Sequence, residues 1–296
     1  MADITASMVK ELRECTGAGM MECKKALSES EGNLEAAVDI LRTRGLAALA
    51  KKAGRATNEG TIAQFVSADY KIGVLVELNS ETDFVGRNAE FTGFAAELAE
   101  HIAAEAPADV ENLLTQTISA RGITVSELFG ETVSKLGENM GVARFAREEI
   151  TGNGAVSTYV HGGGKIGVIV TFAFENADTA AKPEFQAFGK DVAMQVAAAA
   201  PLNTNRDEIS ADIVEHELSI YRAQAAESGK PEAIQDKIAE GRLEKFYKEV
   251  VLTEQVFVKN PDITVGQYAA STGKAVGDKL AVVGFDRFVL GENAAE

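Results

Sequence analysis

The feature that most constrains the fold of this chain is an internal repeat. The stretch "GTIAQFVSADYKIGVLVEL", which begins at Gly60, matches "GAVSTYVHGGGKIGVIVTF", which begins at Gly154. Lys71 and Lys165 occupy the same place in the two copies, so the interval is 165 − 71 = 94. In each copy two runs of β-forming residues precede a longer apolar stretch, which predicts a β-hairpin followed by a helix. The chain is therefore expected to fold as an α+β protein with a duplicated core.

A weaker match indicates how each copy ends. "VARFAR" at residues 142–147 resembles "VVGFDR" at residues 282–287, with an interval of 287 − 147 = 140. Each copy is therefore predicted to close with a third strand, giving two subdomains that each combine an antiparallel sheet with helices. The second copy carries 140 − 94 = 46 additional residues, which must form an insertion.

The inserted residues have the pattern of a helical hairpin. Apolar residues step by four, three and four along two long segments, and these residues are Val214, Leu218, Tyr221 and Ala225 in one and Ala239, Leu243, Phe246 and Val250 in the other. That spacing predicts the seam of an antiparallel coiled coil. The turn between the helices is expected at Ser228–Pro231.

The amino-terminal residues predict three short helices. Their apolar stripes are Met8, Val9 and Leu12, then Met20, Met21, Ala26 and Leu27, then Leu34, Val38 and Leu41, the last helix being capped by Asn33. Residues 51–60 are polar and are expected to form a linker. The predicted domains are a three-helix module like a ubiquitin-associated (UBA) domain at 1–53, one core subdomain at 60–151, another at 152–206 with 258–291, and the arm at 207–257.

The charge balance disfavours a nucleic-acid partner. The chain has 29 Lys and Arg against 45 Asp and Glu, a formal net charge of −16, and such a surface repels phosphate backbones. The charged amino terminus and the absence of about 18 consecutive apolar residues argue against a signal peptide and a membrane span. We expect a cytoplasmic protein whose two cysteines, Cys15 and Cys23, are free thiols.

The sequence contains no recognisable catalytic constellation. His101, His161 and His216 are far apart and fit no metal-ligand pattern. "HGGGK", which begins at His161, lacks the phosphate-loop spacing and is followed by a strand, so it predicts a hairpin turn. We therefore expect a protein that is not an enzyme and that needs neither a metal nor a cofactor.

One short segment, "SETDFVGRN" at residues 80–88, carries an aromatic residue where a polar loop is expected. The interval of 94 aligns Phe84 with Asp178, so only the first copy has the ring. A residue needed in the core would have an apolar counterpart. The comparison favours an exposed Phe84 that contacts a partner, and the alternative is a satellite contact of the core.

Four motifs together resemble the bacterial translation elongation factor Ts family. They are "TGAGMMECKKAL", "ETDFVGRN", "YVHGGGKIGVIV" and "EGRLEKFYKEVVLTEQVFV", and the resemblance covers essentially the whole chain. It implies a guanine nucleotide exchange factor for the GDP-bound form of elongation factor Tu. It also implies that GDP release during translation elongation follows displacement of Mg²⁺ and distortion of the phosphate site.

The resemblance assigns roles to particular residues. It implies that Thr82, Asp83, Phe84 and Val85 reach the Mg²⁺ and phosphate site of the GTPase. It implies further partner contacts by Lys24, His161 and Val258. For Lys24 the alternative is a solvated helix charge, and for Val258 it is a place in a strand core. A UBA-type adaptor is the alternative function, although it leaves the duplicated core and the arm unexplained.

Overall fold

The structure, a computed structural model, describes residues 4–227, 229 and 231–292. Helices and small antiparallel sheets both contribute, so the predicted α+β class is confirmed. The predicted turn at Ser228–Pro231 includes Ser228 and Lys230, which lie outside the described residues.

The amino-terminal part forms three helices, as predicted. They are α1 (Ala6–Thr16), α2 (Met20–Glu29) and α3 (Leu34–Lys52). The helix α1 ends at Gly17, whose φ of 65° places it in the left-handed region that glycine favours. The predicted cap of α3 is confirmed, because Asn33 Oδ1 accepts a hydrogen bond from the Ala36 N–H at 3.0 Å.

The stripe predicted for α2 is partly wrong. Met20 and Met21 are 60% and 64% exposed, whereas Cys23, Ala26 and Leu27 are fully buried. The two methionines lie in the first turn of α2, and the face that packs against the other two helices begins only at Cys23.

The next part of the chain places a sheet beside several helices. Its elements are β1 (Glu59–Val66), β2 (Ile72–Ser80), the single turn α4 (Asp83–Gly86), α5 (Ala89–Glu105), α6 (Val110–Thr115), β3 (Thr117–Ile118), β4 (Ile123–Thr124), α7 (Val125–Leu136) and β5 (Met140–Glu149). The strands β1, β2 and β5 form one antiparallel sheet in that order, which we call the first sheet. A cluster of apolar side chains, including Phe91, Phe94 and Phe129, is buried between the sheet and the helices.

The last part has a second sheet and the inserted helices. Its elements are β6 (Gly154–His161), β7 (Ile166–Ala173), α8 (Pro183–Ala199), α9 (Ala211–Ala226), α10 (Glu232–Val250), β8 (Val256–Phe257), β9 (Asn260–Thr264), α11 (Val265–Val276) and β10 (Ala281–Val289). The strands β6, β7 and β10 form the second sheet, with β7 in the centre. The third strands predicted from residues 142–147 and 282–287 are thus present as β5 and β10.

Unusual backbone features recur at the two intervals found in the sequence. The helices α5 and α8 are both followed by an alanine in the left-handed region, Ala106 with φ 45° and Ala200 with φ 43°, and 200 − 106 = 94. The strands β5 and β10 both skip one residue in their pairing, Ala143 and Val283, and 283 − 143 = 140. An alanine with positive φ is rare, so its presence at both equivalent positions is strong evidence that the two parts share the same local backbone conformation.

The two sheets pack face to face. Ile62 and Leu75 of the first sheet contribute to one buried cluster with Val156 and Ile169 of the second. Gly167 permits this close approach, because a Cβ added there would lie 2.5 Å from Ile62 Cγ2.

Two hydrogen bonds join the sheets reciprocally. The Ile62 N–H donates to the Gly164 carbonyl at 2.9 Å, and the Val156 N–H donates to the Tyr70 carbonyl at 2.8 Å. Donors and acceptors are both related by the repeat interval, since 156 − 62 = 94 and 164 − 70 = 94. The two sheets therefore contact each other through equivalent positions.

The amino-terminal helices are joined to the next part of the chain by packing against α7 as well as by the linker. An added Cβ on Gly45 of α3 would lie 2.9 Å from the backbone of Gly130 in α7, so these helices cross at backbone contact. Lys52 Nζ also donates to the Gly137 carbonyl. The polar linker is shorter than the predicted 51–60, because α3 continues to Lys52 and β1 begins at Glu59.

This crossing leads to a prediction about two glycines. Gly45→Ala should destabilise the protein by about 1–3 kcal/mol, because the new methyl group has no room between α3 and α7. Gly93→Ala in α5 is the matched control, since an added Cβ there meets no heavy atom of the described residues within 4 Å. The control should stabilise by up to about 1 kcal/mol through helix propensity. Urea unfolding of both variants measures the difference, and equal shifts would contradict the close crossing.

The inserted helices α9 and α10 pack along the predicted seam. Ala225 and Ala239 are buried, and the other predicted seam residues are partly buried. At the base, Arg206 forms ion pairs with Glu244 of α10 and with Glu254, which follows it.

Residues 251–257 lie in the predicted arm, but Leu252 is buried in the core cluster of the second sheet. The helical part therefore ends at Val250.

Shortening the arm is expected to leave the core folded. Replacing residues 218–243 with a short Gly/Ser linker keeps Arg206 and Glu244, and apart from Ala225 and Ala239 the described side chains that are removed are exposed or partly buried. The free energy of unfolding of the remaining protein should change by no more than about 1 kcal/mol, because closing a short loop costs little. Circular dichroism during thermal unfolding measures this, and a shortened protein without a cooperative transition would contradict it.

Candidate functional site

The segment with the exposed aromatic residue is one turn of helix, α4, and not the loop predicted. Thr82 is its N-cap, and the Thr82 Oγ1 accepts a hydrogen bond from the Val85 N–H at 3.5 Å. A single turn is too short to show helical periodicity in a sequence, which is why the prediction failed.

The side chains of α4 point to different environments. Phe84 is 85% exposed, so its predicted exposure is confirmed. Asp83 is partly exposed and forms an ion pair with Arg87 at 3.0 Å. Val85 is only 8% exposed and belongs to the core cluster of the first sheet. The structure therefore presents Asp83 and Phe84 on the surface, while Val85 is an anchor in the core and not a surface contact as the sequence suggested.

Two carboxylates hold the start of this turn against the segment between α7 and β5. Glu138 accepts hydrogen bonds from the Thr82 N–H at 3.0 Å and from Thr82 Oγ1 at 2.6 Å. Glu81 accepts one from the Asn139 N–H at 2.6 Å and pairs with Arg55 at 3.2 Å. The Asn139 hydrogen bond and then Arg55 lower the pKa of Glu81, which keeps this carboxylate ionised.

The second sheet has a matching turn without an aromatic residue. Residues Ala177–Ala181 form a short 3₁₀ helix in which Asp178, the counterpart of Phe84, is exposed and pairs with Lys182 at 3.4 Å. Asp278 holds this turn by accepting from the Asn176 N–H at 3.0 Å and from Thr179 Oγ1 at 2.6 Å. Burial raises the pKa of Asp278, but these hydrogen bonds outweigh it and hold the pKa well below its usual range.

Glu138 is a candidate residue that the sequence analysis missed. It corresponds to Asp278 at the interval already found for the third strands, since 278 − 138 = 140. Extending that match by a few residues toward the amino terminus pairs two acidic residues, and this was the available signal.

The hairpin turn after His161 lies next to α4. The predicted turn in "HGGGK" is confirmed, with Gly162, Gly163 and Gly164 all at positive φ. A cavity of about 130 Å³ is lined by Gly162, Gly163 and Lys165 on one side and by Asp83, Arg87 and Gly60 on the other. The imidazole of His161 is exposed, and its Nδ1 lies 2.9 Å from the Tyr159 hydroxyl. The fold thus brings α4 and the turn after His161 together around one cavity.

The other two candidate residues lie on different parts of the surface. Lys24 is exposed on α2 and lines a groove of about 680 Å³ together with Met20 and Met21. Val258 is 52% exposed, and its N–H donates to Gln195 Oε1 at 2.8 Å. The alternative that places Val258 in a strand core is therefore wrong.

The described residues do not add a metal site to this surface. Across residues 4–227, 229 and 231–292, the side chains of His, Cys, Asp and Glu form no group of three that could hold a metal ion. Cys15 is exposed and Cys23 is buried, both as free thiols, and burial raises the pKa of Cys23. Within the same part of the chain, no helix is long and apolar enough to cross a membrane.

Comparisons with known proteins agree on one family. The family model described as "Elongation factor TS" matches residues 81–292. The chain is 47% identical over 290 residues to "Elongation factor Ts" of Trichlorobacter lovleyi, covering 98% of this chain and 93% of that protein. It is 50% identical over 292 residues to the protein of the same name in Clostridioides difficile strain 630, covering 99% and 94%. With the protein of that name in Nitratidesulfovibrio vulgaris strain DP4, it shares 46% identity over 292 residues, covering 99% and 97%.

Proposed function

This chain belongs to the elongation factor Ts family, and we propose that it acts as a guanine nucleotide exchange factor for elongation factor Tu in translation elongation. In this proposal the chain binds the GDP-bound GTPase in the cytoplasm and contacts no nucleic acid directly. The observation that carries the proposal is the exposure of Phe84 at 85%, on a turn that is held in place from both ends. A large apolar ring kept in water is typical of an anchor for a partner protein.

The proposed mechanism needs binding energy and no covalent chemistry. A bound nucleoside diphosphate is held largely by Mg²⁺ and by backbone N–H groups around its phosphates. In the proposal, Asp83 and Phe84 insert beside that site and bind best when it is distorted and has lost its Mg²⁺. Because such coupling is reciprocal, the gain in binding this chain weakens GDP by the same free energy.

Neighbouring residues have supporting roles in this proposal. Thr82 and Val85 fix the turn that carries Asp83 and Phe84, the former through Glu138 and the latter by burial. His161 contributes a second contact, since the turn after it shares a cavity with α4. Lys24 contacts the partner from the amino-terminal helices and Val258 from the segment after the arm.

We also propose how the chain is divided. The amino-terminal module spans 1–53, and two core subdomains related by duplication span 60–151 and 152–206 with 258–291. The coiled-coil arm begins at 207 and ends at Val250, and residues 251–257, which include the buried Leu252, are placed with the second subdomain and not with the arm predicted at 207–257. The recurrence of Ala106 and Ala200 at the repeat interval supports the duplication.

A nucleotide-release assay tests the proposal directly. Elongation factor Tu is loaded with a fluorescent GDP analogue, and release is followed in excess unlabelled GDP with substoichiometric amounts of this chain. An exchange factor accelerates release and turns over, whereas a UBA-type adaptor leaves the spontaneous rate unchanged even if it binds. The spontaneous rate of GDP release without added chain is the reference, and an unchanged rate would contradict the proposal.

A further inference from the structure

We infer that Glu138 is a positioning residue for nucleotide exchange, which sets the orientation in which Phe84 meets the partner. The inference rests on the proposed function and adds a residue that acts through Thr82, the N-cap of the turn that carries Phe84. It is carried by the hydrogen bonds between residues 81–82 and 138–139.

The first step concerns what fixes the direction of Phe84. A side chain that is 85% exposed receives little guidance from packing, so the backbone of α4 determines where it points. That backbone is held at its carboxyl end by Val85, which is buried in the core. At its amino end it is held through Thr82, because the N-cap residue determines how the helix leaves the preceding strand.

The second step concerns what holds Thr82. One carboxylate, that of Glu138, accepts from both the backbone N–H and the hydroxyl of Thr82, at 3.0 and 2.6 Å. Hydrogen bonds to an ionised acceptor are stronger than neutral ones. The pair also sets the rotamer of Thr82, whose Oγ1 then faces the Val85 N–H. Without Glu138, both donors would have to turn to water and the cap would lose its orientation.

The third step concerns the rigidity of Glu138 itself. It lies between Gly137, which ends α7 at φ 80°, and Asn139, which precedes β5. The Asn139 N–H is bound by Glu81, the residue immediately before Thr82. Glu138 accepts from Thr82, and Glu81 accepts from Asn139, so two carboxylates connect residues 81–82 with residues 138–139 in opposite directions. The segment that carries Glu138 is therefore held rigidly. A group held in this way can preorganise the turn for binding.

The second sheet supplies a matched control. Asp278 holds the turn at Ala177–Ala181 with the same kind of hydrogen bonds, but that turn carries Asp178 where the first carries Phe84. Loss of either carboxylate should cost stability. Only loss of Glu138 should cost exchange.

The experiment compares Glu138→Ala, Glu138→Gln and Asp278→Ala with the original protein. Thermal unfolding gives the folded fraction, and GDP release from elongation factor Tu is measured against the concentration of folded factor. We expect Glu138→Ala to lower the maximal release rate by about tenfold, the loss that corresponds to one charged hydrogen bond. Glu138→Gln, which keeps one acceptor oxygen, should lose less. Asp278→Ala should exchange normally per folded molecule despite a lower Tm.

A double-mutant cycle separates positioning from general destabilisation. In a Phe84→Ala background, adding Glu138→Ala should cause a much smaller further loss than in the original protein, because only Asp83 is left on the turn to orient. Normal exchange by folded Glu138→Ala, or a full further loss in the Phe84→Ala background, would overturn the inference while leaving the proposed function intact. Failure of the original protein to accelerate release would overturn both.

Discussion

Phe84→Ala is expected to lower stimulated GDP release about 30-fold, while the free energy of unfolding changes by no more than about 0.5 kcal/mol. The factor corresponds to about 2 kcal/mol, the usual threshold for a central anchor of an interface. Stability should hardly change because the ring is already in water in the free protein. Stopped-flow fluorescence gives the release rate, and urea unfolding gives the stability.

Two further substitutions control this experiment. Asp83→Ala should also slow release, and the double variant should lose less than the sum of the two, because both residues act from one turn. Asp178→Ala changes the counterpart of Phe84 in the second turn and should leave release nearly unchanged. A Phe84→Ala protein that melts far below the original, yet exchanges normally per folded molecule, would contradict the role in exchange.

Phe188→Ala is expected to have the opposite effect, with a loss of about 3–5 kcal/mol of stability and no specific loss of exchange. Phe188 is fully buried, and its ring lies 5.4 Å from that of Phe172 and 5.1 Å from that of Tyr268, measured between centroids. Truncation removes these aromatic contacts and leaves a cavity that α8 and the second sheet cannot fill without moving.

The Phe84→Ala and Phe188→Ala variants make the same chemical change, so any difference between them comes from the surroundings of the two rings. Equilibrium unfolding in urea measures the loss for Phe188→Ala, and release assays at a temperature where most molecules are folded measure its activity. A loss below about 1 kcal/mol would mean that the cluster around Phe172 contributes much less than its burial implies.

Much of the fold could be predicted because the sequence contains two similar stretches that can be compared with each other. Two similar arrangements need apolar residues at the same positions, so the match of residues 142–147 with 282–287 located the strands that became β5 and β10. The crossing of α3 and α7 could not be predicted in the same way. It depends on Gly45 and Gly130. In a sequence, a glycine within a helical segment indicates a less stable helix and does not reveal a contact with another helix.

The site was predictable to the extent that the two copies differ. Phe84 against Asp178 correctly indicated an exposed position, because a core position would have stayed apolar. The same comparison failed for Val85, whose counterpart Thr179 is polar although both are buried. Thr179 satisfies its hydroxyl by donating to Asp278, and only the structure shows that partner.

The reciprocal hydrogen bonds between the sheets bear on how such a chain could have arisen. An interface in which Ile62 bonds to Gly164, and Val156 in the same way to Tyr70, is self-complementary, like that of a symmetric homodimer. Under the proposed duplication, the contact between the two halves is therefore the one that two separate copies of a single unit would form.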